Sequence, residues 1–420
     1  MHTTASRLRR VPSVRSPGVV LLVLLACAGC ASVADLSARH KESGANSEFQ
    51  YGDLTFPQYV SRMRDMVART RLDLHDSRAD SIVEANTPFE LAPDASCPAG
   101  KLHRHAKGAL LIHGLTDSPF QTRDVARALN SRCFLVRAIL LTGHGTVPGD
   151  LRSVDYREWV KQTRWAMKGL SAEVDELYLV GFSTGGALCL HAVLAGQAVD
   201  GLVLFSPALR ARSHFAFLSG LGTLVTPWLE VAPDDDHAKY ESFTSNAAYQ
   251  IYRLTKELET LRSAKLLAPM FVALSAEDGT TDSAETLAYF SKQSNPASKL
   301  ILYASGKPKF DDHRIHVVSA ARPEEWILEQ SHISVNVAPE NAHYGRRGDY
   351  RNCKHYLYDA EAWHTCKTAS PIAQGERGIK KPDGVIFTRL TYNPDFAQLM
   401  QELADFLEQA EPISPNLQRP

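Results

Sequence analysis

Leu177-Tyr178-Leu179-Val180-Gly181-Phe182-Ser183-Thr184-Gly185-Gly186-Ala187 is the stretch that decides the fold of this 420-residue chain. Four apolar residues without polar alternation read as a strand buried on both faces, and the run from 187 reads as a helix. Between them a serine sits at a sharp strand-to-helix turn. Small neighbours there let the backbone take a strained geometry that lifts Oγ above the sheet. The helix start beneath the serine adds partial positive charge suited to a developing oxyanion. A bare GxSxG pattern is common by chance, and its weight here comes from the strand before it and the helix after it. The competing reading is a glycine-rich turn with an incidental serine.

The same alternation extends in both directions. Apolar runs at 109–112, 133–141, 201–205, 269–274, 299–303 and 326–330 predict further strands, and 122–129, 156–170 and 396–407 predict helices. The fold class is therefore α/β, a mostly parallel sheet flanked by helices. The strand rhythm stops at about 207–267, where Phe215, Phe217, Trp228, Tyr240, Tyr249 and Tyr252 predict a mostly helical cap insertion. The segment 333–394 is long and polar for a connection, and such segments tend to be functional or disulfide-held. A helix is expected from Phe56, with Thr55 as N-cap and Tyr59, Val60, Met63, Met66 and Val67 on its apolar face. One domain over 55–420 accounts for all of this.

Charge narrows the partners. Lys plus Arg number 46 against 47 Asp plus Glu, and after the first fifteen residues no dense basic run remains, so a nucleic-acid partner is excluded. The only long apolar run, 19–28, is too short to span a bilayer as a helix. It follows Arg7, Arg9, Arg10 and Arg15 and ends in small residues, which is the order of a secretory signal peptide over 1–30. Its ending, Leu24-Leu25-Ala26-Cys27-Ala28-Gly29-Cys30, resembles a bacterial lipoprotein signal, with Cys30 (or Cys27) as the acylated residue and plain cleavage as the alternative. The polar stretch 31–54 then reads as a flexible tether, and the expected place is the bacterial cell envelope, lipid-anchored, facing the periplasm or on the outer membrane. In an oxidising compartment Cys353 and Cys366 are candidates for a disulfide, Cys97 and Cys133 are a second pair, and Cys189 is expected as a buried free thiol. No cysteine and histidine spacing matches a zinc site.

A serine hydroxyl needs a base to take its proton and an acid to hold that base. In a strand–GxSxG–helix context the chain order is serine, acid, histidine. After the strand 269–274 comes Ser275-Ala276-Glu277-Asp278-Gly279-Thr280-Thr281-Asp282, where Asp278 is the choice and Asp282 and Glu277 are alternatives. A solvated loop acid or N-cap is the bland reading of each. His332 is the best-placed base; His343 is the runner-up, and His313 and His316 stand behind it. His113 and His144, each before a glycine at a strand end, are expected to brace turns. Gly114 permits a turn that aims the Leu115 N–H, with that of Thr184, at a tetrahedral oxyanion.

His113-Gly114-Leu115-Thr116-Asp117-Ser118, Thr142-Gly143-His144-Gly145, Gly181-Phe182-Ser183-Thr184-Gly185-Gly186, Asp278-Gly279-Thr280 and Ser331-His332 together resemble the α/β-hydrolase family, in particular its bacterial esterases, monoacylglycerol lipases and related serine hydrolases. The resemblance covers roughly 105–335. It implies Ser183 as nucleophile, Asp278 as acid, His332 as base and a cap after Ser206, acting on a small-molecule ester with an apolar acyl or aryl group and no metal or organic cofactor. The acid loop lacks the valine that often follows the aspartate, and 333–394 exceeds what the family's core needs. Peptidase, acyltransferase and non-catalytic binding roles use the same scaffold.

Overall fold

Strand β4 (Val174–Phe182) shows why this chain folds around a central sheet. Leu177 and Leu179 belong to the apolar core on one face, while Tyr178, Val180 and Phe182 belong to the core on the other. An unbroken apolar run is what a strand covered on both faces requires. The computed structural model describes residues 36–75, 77–212, 220, 222–223, 226–378 and 384–409. The expected signal peptide, with Cys27 and Cys30, lies outside them.

In chain order the strands are β1 (Phe89–Leu91), β2 (His105–Ile112), β3 (Phe134–Ile139), β4, β5 (Gly201–Phe205), β6 (Trp228–Glu230), β7 (Phe243–Thr244), β8 (Met270–Ser275), β9 (Lys299–Ala304), β10 (Ile315–Ser319), β11 (Ala373–Gly375) and β12 (Phe387–Arg389). The helices are α1 (Phe56–Thr70), α2 (Ala79–Ala85), α3 (Arg123–Asn130), α4 (Tyr156–Ser171), α5 (Thr184–Leu194), α6 (Ser245–Leu261), α7 (Ser283–Ser291), α8 (Ala360–Thr368) and α9 (Phe396–Gln409). Among the described residues the main sheet has eight strands in the order β1-β3-β2-β4-β5-β8-β9-β10. Only β1 runs antiparallel to its neighbour. This is the α/β-hydrolase arrangement that the sequence pointed to. None of the helices among the described residues is long and apolar enough to cross a membrane.

Helix α1 begins as expected, with Gln58 Oε1 accepting the Thr55 N–H at 2.9 Å and Phe56, Tyr59, Met63, Met66 and Val67 buried. Both expected cysteine pairs, Cys97–Cys133 and Cys353–Cys366, are bonded, and Cys189 is free and buried.

Three expectations need correction. Of the tether 31–54, the described part from Ser37 onward lies against the body instead of hanging free. Ser43 N and Oγ each donate to Asp150 at 2.6 Å, and Asn46 Nδ2 donates to the carbonyl of His144 at 2.8 Å while its own carbonyl accepts from Gly143 N at 2.7 Å. Its polar side chains satisfy loop groups that would otherwise be buried without partners. The run 326–330 is not a strand of the main sheet: Trp326 takes a left-handed φ of 58°, and Ile327 bridges to Gln374 beside β11. The sheet's last strand is β10, an edge strand with Ile315 buried and His316, Val317 and Ser319 exposed. In the cap region the described residues include a short antiparallel pair, β6–β7, that was not expected, leading into α6.

The polar segment 333–394 is folded on its own terms. It holds α8, the Cys353–Cys366 disulfide and the parallel pair β11–β12. Ile327, Val337, Tyr344, Tyr350, Leu390 and Tyr392 form a third apolar cluster under it, joined by Ala238 from the cap region.

Candidate active site

The sheet reverses its winding between β2 and β4: β3 lies beyond β2 on one side, and β5 beyond β4 on the other. In an open α/β sheet a crevice forms at the carboxyl ends of the strands where the order reverses. The turns following β2 and β4 carry His113–Asp117 and Ser183 there.

Ser183 has φ 53° and ψ −112°, a region non-glycine residues seldom adopt, and its N–H donates to Phe205 O at 3.0 Å. The flanking glycines are a steric requirement. A Cβ on Gly181 would lie 2.4 Å from Gly185 backbone, and one on Gly185 would lie 2.0 Å from the Ile112 carbonyl oxygen. The crowded turn leaves Ser183 with 7% exposure and puts Thr184 at the start of α5, where its N–H has no acceptor within the helix.

Asp278 follows β8 in a tight loop and is fully buried. Its Oδ1 accepts the N–H groups of Thr280 at 2.7 Å and Thr281 at 2.8 Å, and its Oδ2 accepts the Thr281 hydroxyl at 2.9 Å. That same Oδ2 lies 2.6 Å from His332 Nδ1, and His332 Nε2 lies 3.0 Å from Ser183 Oγ. With the Nδ1 proton directed at the carboxylate, Nε2 is left to accept from the serine. Burial works to raise the Asp278 carboxyl, but the His332 ring and the threonine amides outweigh it and hold the acid below the usual carboxylate range.

The alternatives sit elsewhere. Asp282 caps α7, accepting from Ala284 N at 3.1 Å, and pairs with Arg210. Glu277 accepts from Ser305 N at 2.8 Å. His343 is enclosed by Asp236 and Asp349 away from the serine, and His313 and His316 are exposed.

The 113–117 loop is braced by the two histidines expected to hold turns. His113 Nδ1 bonds the Gly114 carbonyl at 2.8 Å while Nε2 accepts from Leu141 N at 3.0 Å. His144 Nδ1 bonds the Thr142 carbonyl at 3.0 Å while Nε2 accepts from Thr116 N at 3.1 Å. Burial pushes these rings down to about 4 and about 3, so both are neutral at physiological pH. Thr116 carries φ 68°, and a Cβ on Gly114 would lie 2.3 Å from Asp117 Oδ2. The Leu115 N–H has no protein acceptor among the described residues.

Sequence reasoning missed three side chains around this site. Lys239, from the cap region, pairs with Asp117 at 2.6 Å and pins the far end of the 113–117 loop. Glu376 and Arg389, from the polar segment, stand behind His332. Nothing local distinguishes them from other charged residues. A buried acid 44 positions after its histidine has no spacing signature.

Residues 104–307 match the family model described as "Serine aminopeptidase, S33". Over 176 residues, 41% of this chain and 70% of the relative, the sequence is 25% identical to the thermostable monoacylglycerol lipase of Bacillus sp. (strain H-257). Among solved structures, one reported for the metagenome-derived lipolytic enzymes LipS and LipT is 20% identical, with a TM-score of 0.44 over 56% of this chain and 87% of that one. The Paleococcus ferrophilus monoacylglycerol lipase is 17% identical, with a TM-score of 0.41 over 52% of this chain and 88% of that one. The sheet order and the strained serine elbow are those of the α/β-hydrolase fold, and the family match spans its strands β2 to β9 with Ser183 and Asp278 among them.

Proposed function

We propose that this chain is a serine hydrolase that cleaves carboxylic esters through an acyl-enzyme on Ser183, with His332 as general base and Asp278 as its orienting acid. The observation that carries this reading is the chain of contacts from Ser183 Oγ to His332 Nε2 at 3.0 Å and from His332 Nδ1 to Asp278 Oδ2 at 2.6 Å. His332 Nε2 takes the hydroxyl proton as Oγ bonds to the ester carbonyl carbon, and Asp278 stabilises the resulting imidazolium. The carbonyl oxygen, now an oxyanion, faces the Leu115 and Thr184 amides. Collapse of this intermediate breaks the bond to the alcohol oxygen, which leaves with the proton from Nε2. Water repeats the sequence on the acyl-enzyme and releases the acid. An apolar acyl or aryl group suits a site beside the aromatic cap region.

Two disulfides fit an oxidising compartment and support the proposed place in the cell envelope, where Cys30 (or Cys27) would carry the lipid anchor. The matched family is described as a peptidase family while the Bacillus relative is a lipase, so amide cleavage is the second reading. A p-nitrophenyl ester offered beside a peptide p-nitroanilide separates them. Wild type is expected to turn over the ester and Ser183→Ala to be inactive, whereas faster turnover of the anilide favours the peptidase.

A further inference from the structure

His332 is held from two directions, and only one of them belongs to the proposed triad. Its ring meets Ser183 and Asp278, while its backbone N–H donates to Glu376 Oε2 at 2.7 Å. Glu376 has 1% exposure, and a carboxylate that deep is costly unless it is paired and hydrogen-bonded. Arg389 supplies the pairing, with Nε 2.7 Å from Glu376 Oε1 and Nη2 3.1 Å from Oε2. The same Nη2 donates to Thr280 Oγ1 at 2.9 Å, and the Thr280 N–H donates to Asp278 Oδ1 at 2.7 Å. One guanidinium therefore ties the acid loop to the carboxylate that holds the histidine backbone.

The local fold explains how these groups meet. Gly375 pairs with Arg389 across the parallel strands β11 and β12, which sets Glu376 beside the arginine. The chain leading to His332 is fastened to the same small sheet, through Leu328 N to Gln374 O at 2.8 Å and Gln374 N to Trp326 O at 2.8 Å. Asn352, next to the disulfide-bonded Cys353, bridges to Arg389 from the other side. The polar segment that the hydrolase core does not need thus ends in a clamp on two of the three proposed triad residues.

We propose that Glu376 and Arg389 are positioning residues that set the distance and orientation of His332 relative to Ser183, and that holding this pair is the task of the segment 333–394. The inference rests on the serine-hydrolase reading above. A fixed histidine keeps its lone pair aimed at the serine, and a misplacement of about 1 Å at such a site costs on the order of a hundredfold in rate. Around His332 stand Asp278 at Nδ1, Ser183 at Nε2, the Phe182 ring, and Glu376 at the N–H with Arg389 paired to it.

The test is Glu376→Gln in the full chain, with Arg389→Lys as second variant, assayed on a p-nitrophenyl ester and labelled with a fluorophosphonate. Gln keeps the size and one acceptor but loses the charge that Arg389 requires, and Lys cannot reach both Glu376 and Thr280. The expected result in both variants is kcat down by about tenfold to a hundredfold with KM nearly unchanged. Folded variants with wild-type kcat, or with the loss confined to KM, overturn the proposal, as does loss of folded protein in both variants, which would make the pair structural. Absence of label on wild-type Ser183 instead overturns the underlying hydrolase reading.

Discussion

His343 Nε2 stands 2.9 Å from Asp236 Oδ1, and that carboxylate is closed off from solvent. Asp349 bonds the other ring nitrogen, and the Tyr344 hydroxyl donates to Asp236 Oδ2 at 2.8 Å. Asp236 belongs to the cap region and His343 to the polar segment, so this pair locks together two parts of the chain that flank the active site.

The lock has a pH signature. Burial alone would lower the His343 ring, but Asp236 and Asp349 outweigh it and raise the ring above 6.5; burial likewise works to raise Asp236, and His343 holds it below 3.8. A raised histidine stabilises fully below its unfolded value and loses that contribution as pH rises through the folded value. A lowered aspartate stabilises above its unfolded value and loses that as pH falls through the folded one. The pair therefore contributes most between about pH 4 and 6.5. His237, whose ring centroid is 4.0 Å from that of His343, is pushed by burial down to about 4 and is neutral over all but the acid edge of this window. Replacing His343→Gln should cost about 3 kcal/mol at pH 6 by leaving Asp236 buried without its cation, and should flatten the decline of stability as pH rises above about 6.5. Urea unfolding at several pH values measures both; a loss under about 1 kcal/mol at pH 6 contradicts the assignment.

Gly185→Ala is expected to damage the elbow itself. The new methyl would lie 2.0 Å from the Ile112 carbonyl oxygen, so either β2 or the start of α5 must move. Overpacking of this kind costs about 1–3 kcal/mol, and the displaced Ser183 should lose most of its activity even in the folded fraction. Denaturant midpoint and turnover measured on one preparation check both. Wild-type values for each would mean that the turn tolerates a side chain.

Asp278→Asn keeps the shape of the buried acid and removes its charge. The amide can present its nitrogen to His332 Nδ1, which favours the wrong tautomer, and kcat of the folded variant is expected to fall by about 10⁴. A loss below tenfold would assign the orienting role to another group.

The elbow, the sheet class and the serine, aspartate and histidine were all legible because each rests on short-range pattern: apolar runs, glycine spacing, and acids or histidines just past strand ends. His332 was chosen with an incomplete reason, since 326–330 is no strand of the main sheet but a chain tied to Gln374. The edge strand β10 escaped because His316, Val317 and Ser319 give it little of a buried strand's texture. Residues 37–54 read as a tether because they are polar, and what fixes them is long-range: Asn46 and Ser43 bond groups about a hundred positions away. Glu376, Arg389 and Lys239 were illegible for the same reason. Their partners are distant in sequence, and a charged residue in a polar segment looks alike whether solvated or buried.

The central claim, an acyl group carried on Ser183, is tested most directly by mass spectrometry of the protein quenched during turnover of a p-nitrophenyl ester. The account predicts one added acyl mass on the peptide containing Ser183, its disappearance as substrate is exhausted, and none on Ser183→Ala. Steady ester turnover by the Ser183→Ala protein, or an adduct lodged on any other residue of the wild type, would contradict it.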